Sequence, residues 1–327
     1  MIKILRLFIV LCIGLTLKIY ANISEDSVKS EYFNGDYIEI QKIKHQLSMN
    51  PILYETEVND FVPINSVNND IDYLLLSGIG AGVLTTGVII HYYQKDAWWT
   101  DQKKEFHIQN DWEYALWIDK VGHLYAAALI SHGLAGGFEA ANVPLRESII
   151  YGSIGAALFQ LYIEYEDGFG PSWGFSPGDA AADLLGAGYP VLQYYFPILN
   201  NFRIKASYYP RHLTEGSNPK TGQKHIISDD YEGQKFWLSV SPKNLLPKSI
   251  SEYWPAALCL AVGMGVKDLD GVGGGQRDFY IALDIDAEQI PLYGRGWQFV
   301  KSTLNYLHFP LPGLRITNNT VFFAFCY

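Results

Sequence analysis

The chain has 327 residues, 49% of them hydrophobic and 15% aromatic, with a formal net charge of -10. That apolar content excludes global disorder and can bury a large core in one unit or two. The acidic balance, with no cluster of Lys and Arg, excludes nucleic acid as a partner, because phosphate binding draws its affinity from such clusters.

The first six residues carry two cations, Lys3 and Arg6, ahead of the apolar run Leu7 to Leu17 and the small Ala21. This is the layout of a secretory signal peptide over residues 1–21, with cleavage after Ala21. An uncleaved anchor is the rival reading; Lys18 interrupts the run, which is short for a membrane span. Leu11 stands before Cys12 where lipidation asks for a small residue, so a lipid anchor is not expected. With Cys12 in the leader, Cys259 and Cys326 allow at most one disulfide in the mature chain, and neither a zinc ribbon nor a disulfide scaffold.

Residues 22–70 are polar and exposed in character, with one edge strand suggested by Tyr37-Ile38-Glu39-Ile40. The composition then changes. From Tyr73 to Tyr93 the chain is almost uncharged and as long as a bilayer-crossing helix, followed by the interfacial pair Trp98-Trp99. Its glycines Gly78, Gly80, Gly82 and Gly87 would admit a close helix neighbour, so a buried central helix competes with a span. Three further helical stretches run over about 113–139, 145–164 and 177–196. The last is opened by Ser176 as N-cap and Pro177 at the first helical position. With Pro144, Pro171 and Pro197 as punctuation, residues 71–200 read as an apolar four-helix unit with short connections.

From residue 201 to 327 the period becomes strand-like. Phe202, Ile204, Ala206 and Tyr208 alternate with Arg203, Lys205 and Ser207. Leu258 to Val266 alternate large with small, and Phe279, Ile281, Leu283 and Ile285 alternate with Asp278, Tyr280, Ala282 and Asp284. About six antiparallel strands fit this region. Val321, Phe323, Phe325 and Tyr327 share one face of a terminal strand, as in the closing strand of an outer-membrane barrel. Phe322 and Ala324 make the other face apolar too, so an ordinary buried strand is the alternative, and six strands are few for a closed barrel. The expected class is α+β, with a surface suited to membrane embedding.

Ionisable residues recur inside the apolar helices at regular spacing. Asp119 and His123, Gln160 and Glu164, and Asp179 and Asp183 are each four apart, so each pair shares a helix face; Ser153 lies on the stripe of Gln160. If the three pairs converge, four carboxylates and an imidazole meet, and a divalent metal or a proton relay would relieve the repulsion. His123, Glu164 and Asp179 are then the catalytic candidates, and Asp119, His123, Glu164, Asp179 and Asp183 the metal candidates. The structural alternative pairs Asp119 with Lys120 or Arg146, leaves Asp179 to complement a helix dipole, and makes His123 a satisfied core histidine. His132 falls on the opposite face, Glu139 reads as a solvated helix end, and Glu166-Asp167-Gly168 as a loop. Gly271-Val272-Gly273-Gly274-Gly275 lacks the Lys-Ser or Lys-Thr of a phosphate loop and is flanked by Asp268, Asp270 and Asp278. Nucleophile-elbow, metalloprotease, kinase and dinucleotide signatures are absent.

The run Asp119-Lys120-x-x-His123, then Glu164-x-x-Asp167, then Gly174-Phe175-Ser176-x-x-Asp179-x-x-x-Asp183-x-x-Gly186, resembles the YfiM-type domain of unknown function, a bacterial family described as predicted periplasmic lipoproteins. It is more distantly similar to VanZ-like membrane proteins. The resemblance covers about residues 70 to 200 and implies an envelope location and a polar site among helices, with no reaction attached. Asp183 stands where the pattern usually has Asn.

Two functions follow as expectations. One is a membrane-associated envelope component with a structural role or a membrane lipid or glycan partner. The other is a metal-dependent enzyme acting on a lipid-linked or phosphate-bearing envelope substrate. The apolar helix points to the inner membrane and the terminal strand to the outer; the strand and the resemblance favour the outer membrane or periplasm, since Gly and Thr lower that helix's hydrophobicity.

Overall fold

The structure, a computed structural model, describes residues 70–99, 103–212, 225–317 and 320–326. The expected signal peptide, the polar N-terminal segment with its edge strand, and Tyr327 lie outside them. The chain partitions into two units, residues 1–71 with Gly80–Thr85, and residues 72–79 with 86–327. Of the first unit, only residues 70–71 and 80–85 are described, the latter as the middle of the first helix.

Four long helices lie where the apolar periodicity placed them: α1 (Tyr73–Ala97), α2 (Ile118–Ala140), α3 (Leu145–Asp167) and α4 (Pro177–Tyr195). Asp72 caps α1 by accepting from Leu75 N at 2.9 Å. Ser176 caps α4 by accepting from Asp179 N at 3.2 Å, with Pro177 in the first turn, as the sequence signals. Helices α2, α3 and α4 form one packed layer around Ala127, Ala156 and Ala187. Small residues set the spacing: a Cβ on Gly152 would stand 2.6 Å from Ser131 O, and one on Gly186 would collide with the Leu124 carbonyl. Helix α1 is different. It is long and apolar enough to cross a membrane, and among its residues only His91, Gln94 and Ala97 are buried. The reading of α1 as a buried central helix is therefore corrected.

The second half holds six strands, β1 (Phe202–Tyr208), β2 (Gln234–Val240), β3 (Leu258–Lys267), β4 (Gln276–Ile285), β5 (Leu311–Thr317) and β6 (Thr320–Cys326). They form one antiparallel sheet in the order β1-β2-β3-β4-β5-β6. The α+β expectation holds, with two helices interposed: α5 (Lys248–Ser251), and α6 (Arg295–Leu304), whose Trp297, Val300 and Leu304 carry a helical spacing that strand reading overlooks. The Gly271–Gly275 run is the β3–β4 hairpin connection. Gly271, Gly273 and Gly275 have positive φ, and Asp270 Oδ1 accepts from Val272 N and Gly274 N, so the loop's amides serve the turn. Cys259 and Cys326 are separate buried thiols, not a disulfide.

The sheet's two faces are unlike. On one, Lys205, Trp237, Ser239, Cys259, Ala261, Asp278, Tyr280, Ala282 and Asp284 are buried. On the other, pairing aligns a single apolar row across all six strands: Ile204, Leu238, Val262, Ile281, Leu314 and Phe323. Helix α2 covers this face at Phe236, which meets Tyr125 at 5.5 Å between ring centroids. Away from that contact Leu238, Val262, Ile281, Leu314 and Phe323 are all exposed.

Candidate functional site

The three polar pairs converge. Helix α2 contributes Asp119, Lys120 and His123, α3 contributes Gln160 and Glu164, and α4 contributes Asp179 and Asp183. Asp119, Glu164, Asp179 and Asp183 are all buried, and His123 keeps 20% of its side chain exposed. The i, i+4 spacing gives each helix two inward groups, and the small residues on α3 and α4 let the helices come close enough for those groups to meet.

The centre has two halves. In the first, the Lys120 ammonium lies 2.8 Å from Asp111 Oδ1, 3.2 Å from Asp119 Oδ2 and 3.1 Å from Asp179 Oδ1. Asp111 also accepts from Ser176 Oγ at 2.6 Å, and Asp119 Oδ1 from Tyr231 OH at 2.6 Å. In the second half, His123 Nδ1 lies 3.0 Å from Asp183 Oδ1 and 3.7 Å from Glu164 Oε1, while its Nε2 faces Asp119 Oδ1 at 3.9 Å. Gln160 Nε2 donates to Asp183 Oδ1 at 2.8 Å, and Ser176 N to Glu164 Oε2 at 3.1 Å.

Five carboxyl groups thus face two cations, and protons redistribute accordingly. Burial would lower the His123 imidazole, yet the hydrogen bond and charge of Asp183, with Asp119 and Asp179, hold it well above the usual histidine range. Burial pushes Glu164 up to about 9, with Asp167, Asp179 and Asp183 adding to it against His123. Burial and the Asp119 charge take Asp179 up to about 7, against His123 and Lys120. Burial alone would raise Asp119, but His123, Lys120 and the Tyr231 hydroxyl bring it below the usual carboxylate range. Lys120 is held above its ordinary value because Asp119, Asp179 and Asp111 outweigh its burial. Protons and fixed cations share the task of balancing charge here.

The turn that delivers α2 is strained. Ala115, Leu116 and Trp117 have φ of 48°, 53° and 78° in succession. Left-handed backbone costs a non-glycine residue roughly 1–2 kcal/mol. Contacts from elsewhere hold it: Arg277 Nε donates to Leu116 O at 3.1 Å and the guanidinium stands 4.7 Å from the Trp117 ring. Tyr114 is buried edge-on against Trp173 and Tyr231. This turn sets where α2 begins, and so where Asp119 and His123 point.

Several residues lie elsewhere. Ser153 donates to Ala187 O rather than joining Gln160. Arg146 pairs with Glu147 and Tyr195, not Asp119. His132 packs on Phe299 and bonds Thr303, away from His123, as its spacing implies. Glu166 and Asp167 are not a loop but the last turn of α3, where buried Glu166 pairs with Lys103 at 2.7 Å and Asp167 accepts from Trp99 Nε1 at 2.5 Å. Sequence reading missed Asp111 and Tyr231, which reach the centre from outside the helices and carry no periodic signal, and gave Lys120 a single partner where it has three.

A second feature lies on the outer side of α3 and α4, an apolar groove of about 390 Å³ lined by Ile150, Ile154, Leu184, Leu185, Val191 and Leu192, with Ser153 and Gly188.

Residues 109–195 match a family described as predicted periplasmic lipoprotein, DUF2279. The matched stretch contains every helical residue of the charge centre together with Asp111, and ends before β1. It supports an exported envelope location. No curated protein and no solved structure matches the chain.

Proposed function

We propose that this protein is a membrane-associated component of the cell envelope, at the outer membrane, with a structural or lipid-binding role in which the sheet lays its apolar face against lipid. The observation that carries this reading is the sheet's reversed polarity. A sheet at a water surface turns apolar side chains inward and polar ones out. Here Val262 and Ile281, central in the row, are 51% and 48% exposed and Phe323 76%, while the opposite, buried face carries charged groups beside the cluster of Trp237, Ala261, Tyr280 and Ala282. Lys205 Nζ meets Asp284 Oδ2 at 2.7 Å, His308 Nδ1 meets Asp284 Oδ1 at 3.1 Å, and Arg315 Nε donates to Asp278 Oδ2 at 3.0 Å. Apolar side chains outward and paired charged groups inward is the arrangement that a lipid environment selects. In water, contiguous exposed apolar patches above a few hundred Å² are rare on monomers.

Two further features agree. β3 and β4 are 10 residues each, the length a strand needs to cover the hydrocarbon layer. The groove on α3 and α4 is lined by aliphatic side chains with Ser153 as its one polar side chain, which suits an acyl chain and not a glycan. The charge centre then serves to fasten three helices that have little large apolar surface between them.

Site-directed spin labelling in reconstituted liposomes tests the reading. A label at Val262→Cys should be relaxed strongly by oxygen and weakly by an aqueous nickel chelate, and one at Asp270→Cys, in the hairpin loop, the reverse. Nickel access at Val262 equal to that at Asp270 would mean the face is in water. Protection from both reagents would mean that protein covers it, and either outcome overturns the proposal.

A further inference from the structure

In the Lys120 half of the charge centre one ammonium answers three carboxylates, including Asp179 Oδ1, which has this ion pair and no hydrogen bond. The other half has no lysine or arginine among its partners. Asp183 is fully buried, and its Oδ1 takes both available donors, Gln160 and His123; its Oδ2 is enclosed with no hydrogen-bond partner. A buried carboxylate oxygen without a donor costs free energy that a native site ordinarily recovers. Glu164 turns its second oxygen toward the same histidine. Oε2 is used by Ser176 N, while Oε1 faces His123 at 3.7 Å, beyond hydrogen-bond length. Lys120 cannot serve these atoms while it holds Asp111, Asp119 and Asp179.

We propose that His123, Glu164 and Asp183, one residue from each of α2, α3 and α4, bind a divalent transition-metal ion of the zinc or manganese class. Ligand atoms of the three residues lie within 4.8 Å of one another. Tetrahedral coordination at about 2.0–2.2 Å places ligands roughly 3.3–3.6 Å apart, and His123 Nδ1 stands 3.0 Å from Asp183 and 3.7 Å from Glu164. Both short approaches are to the same ring nitrogen, which is what a ligand histidine requires. The other nitrogen, Nε2, faces Asp119, which accepts in turn from Tyr231. A metal-bound histidine typically turns its second N–H to such a carboxylate, which fixes the tautomer and the ring. Imidazole with two carboxylates suits Zn2+ or Mn2+, and the charge closes, since neutral His123 with two carboxylates balances one divalent ion. The ion would enter past His123, the one ligand with exposed side chain. This site does not depend on where the sheet lies, so lipid contact and metal binding can fail separately.

The test uses the full chain in detergent, stripped with chelator and dialysed against Zn2+ or, in parallel, against Mn2+. The expected result is one Zn2+ per chain and an X-ray absorption spectrum showing one imidazole and oxygen ligands. Glu164→Gln and His123→Gln should each weaken binding by more than about tenfold, while Glu166→Gln, two residues further along the same helix and paired with Lys103 instead, should not. Circular dichroism confirms that each variant is folded. Absence of stoichiometric Zn2+ and Mn2+ in the parent overturns the proposal whatever the variants do, as does an all-oxygen spectrum or undiminished binding by Glu164→Gln.

Discussion

Lys205 Nζ and Asp284 Oδ2 lie 2.7 Å apart with both side chains wholly excluded from solvent, on the side of the sheet where a soluble protein keeps aliphatic groups. Lys205 also donates to Ile285 O at 2.7 Å, and His308, stacked on Trp237 at 3.8 Å, and Ser239 are further partners of the carboxylate. The pair holds β1 and β4 to one interior although they are not neighbours in the sheet.

Breaking this pair should therefore be costly. Lys205→Met leaves Asp284 buried and undercompensated, and unfolding in denaturant should show a loss of about 3–5 kcal/mol. The double variant Lys205→Met, Asp284→Leu should recover most of it, because no charge is then stranded. A single-variant loss below about 1 kcal/mol would show that water reaches the pair, since exposed pairs contribute no more than that.

Glu164 makes a prediction about pH in chelator-treated protein. Its folded value is raised from 4.5 to about 9, so between those limits the unfolded chain has released a proton that the folded chain keeps. Stability then falls as pH rises through that window. Glu164→Gln removes the titration while keeping an acceptor for Ser176 N, so its stability relative to the parent should improve from pH 5 to pH 9. His123 acts in the same direction in the parent: its raised value contributes stability below the unfolded value of 6.5 that is lost on deprotonation. Equal relative stability of the variant at both pH values would place Glu164 in a wetter setting.

Gly186 tests what brings the pairs together. A Cβ there would strike the backbone of Leu124, between His123 and the rest of α2, which cannot rotate away. Gly186→Ala should cost roughly 1–3 kcal/mol by overpacking and lengthen the approach of Asp183 to His123. In the same denaturation experiment Gly188→Ala, where no atom lies within 4 Å, should be neutral or stabilising. Equal effects of the two would mean that α2 and α4 are not in contact at Gly186.

Much of this arrangement was legible in the chain. Apolar spacing of 3.6 and 2 residues located the four long helices and the strand half, because these periods follow from backbone geometry alone. Ser176 and Pro177 marked the start of α4 for a local reason, the unsatisfied amides of a first turn. The i, i+4 pairs put Asp119 with His123, Glu164 with Gln160 and Asp179 with Asp183 because residues four apart share a face.

Sidedness and partnership were not legible. Alternation in β4 separates Asp278 and Asp284 from Phe279 and Ile281, but period alone does not say which set is enclosed; pairing with β3 and β5 and the packing of Trp237 on His308 decided that the charged set is inside. Likewise, Lys120 acquired Asp111 and Asp179, and Asp119 acquired Tyr231, from residues up to 112 positions away. Local spacing determines what one element can offer, whereas the contact that satisfies a buried charge depends on where other elements arrive. Gly152 and Gly186 admit that contact, and only the packed helices show why those two positions carry no side chain.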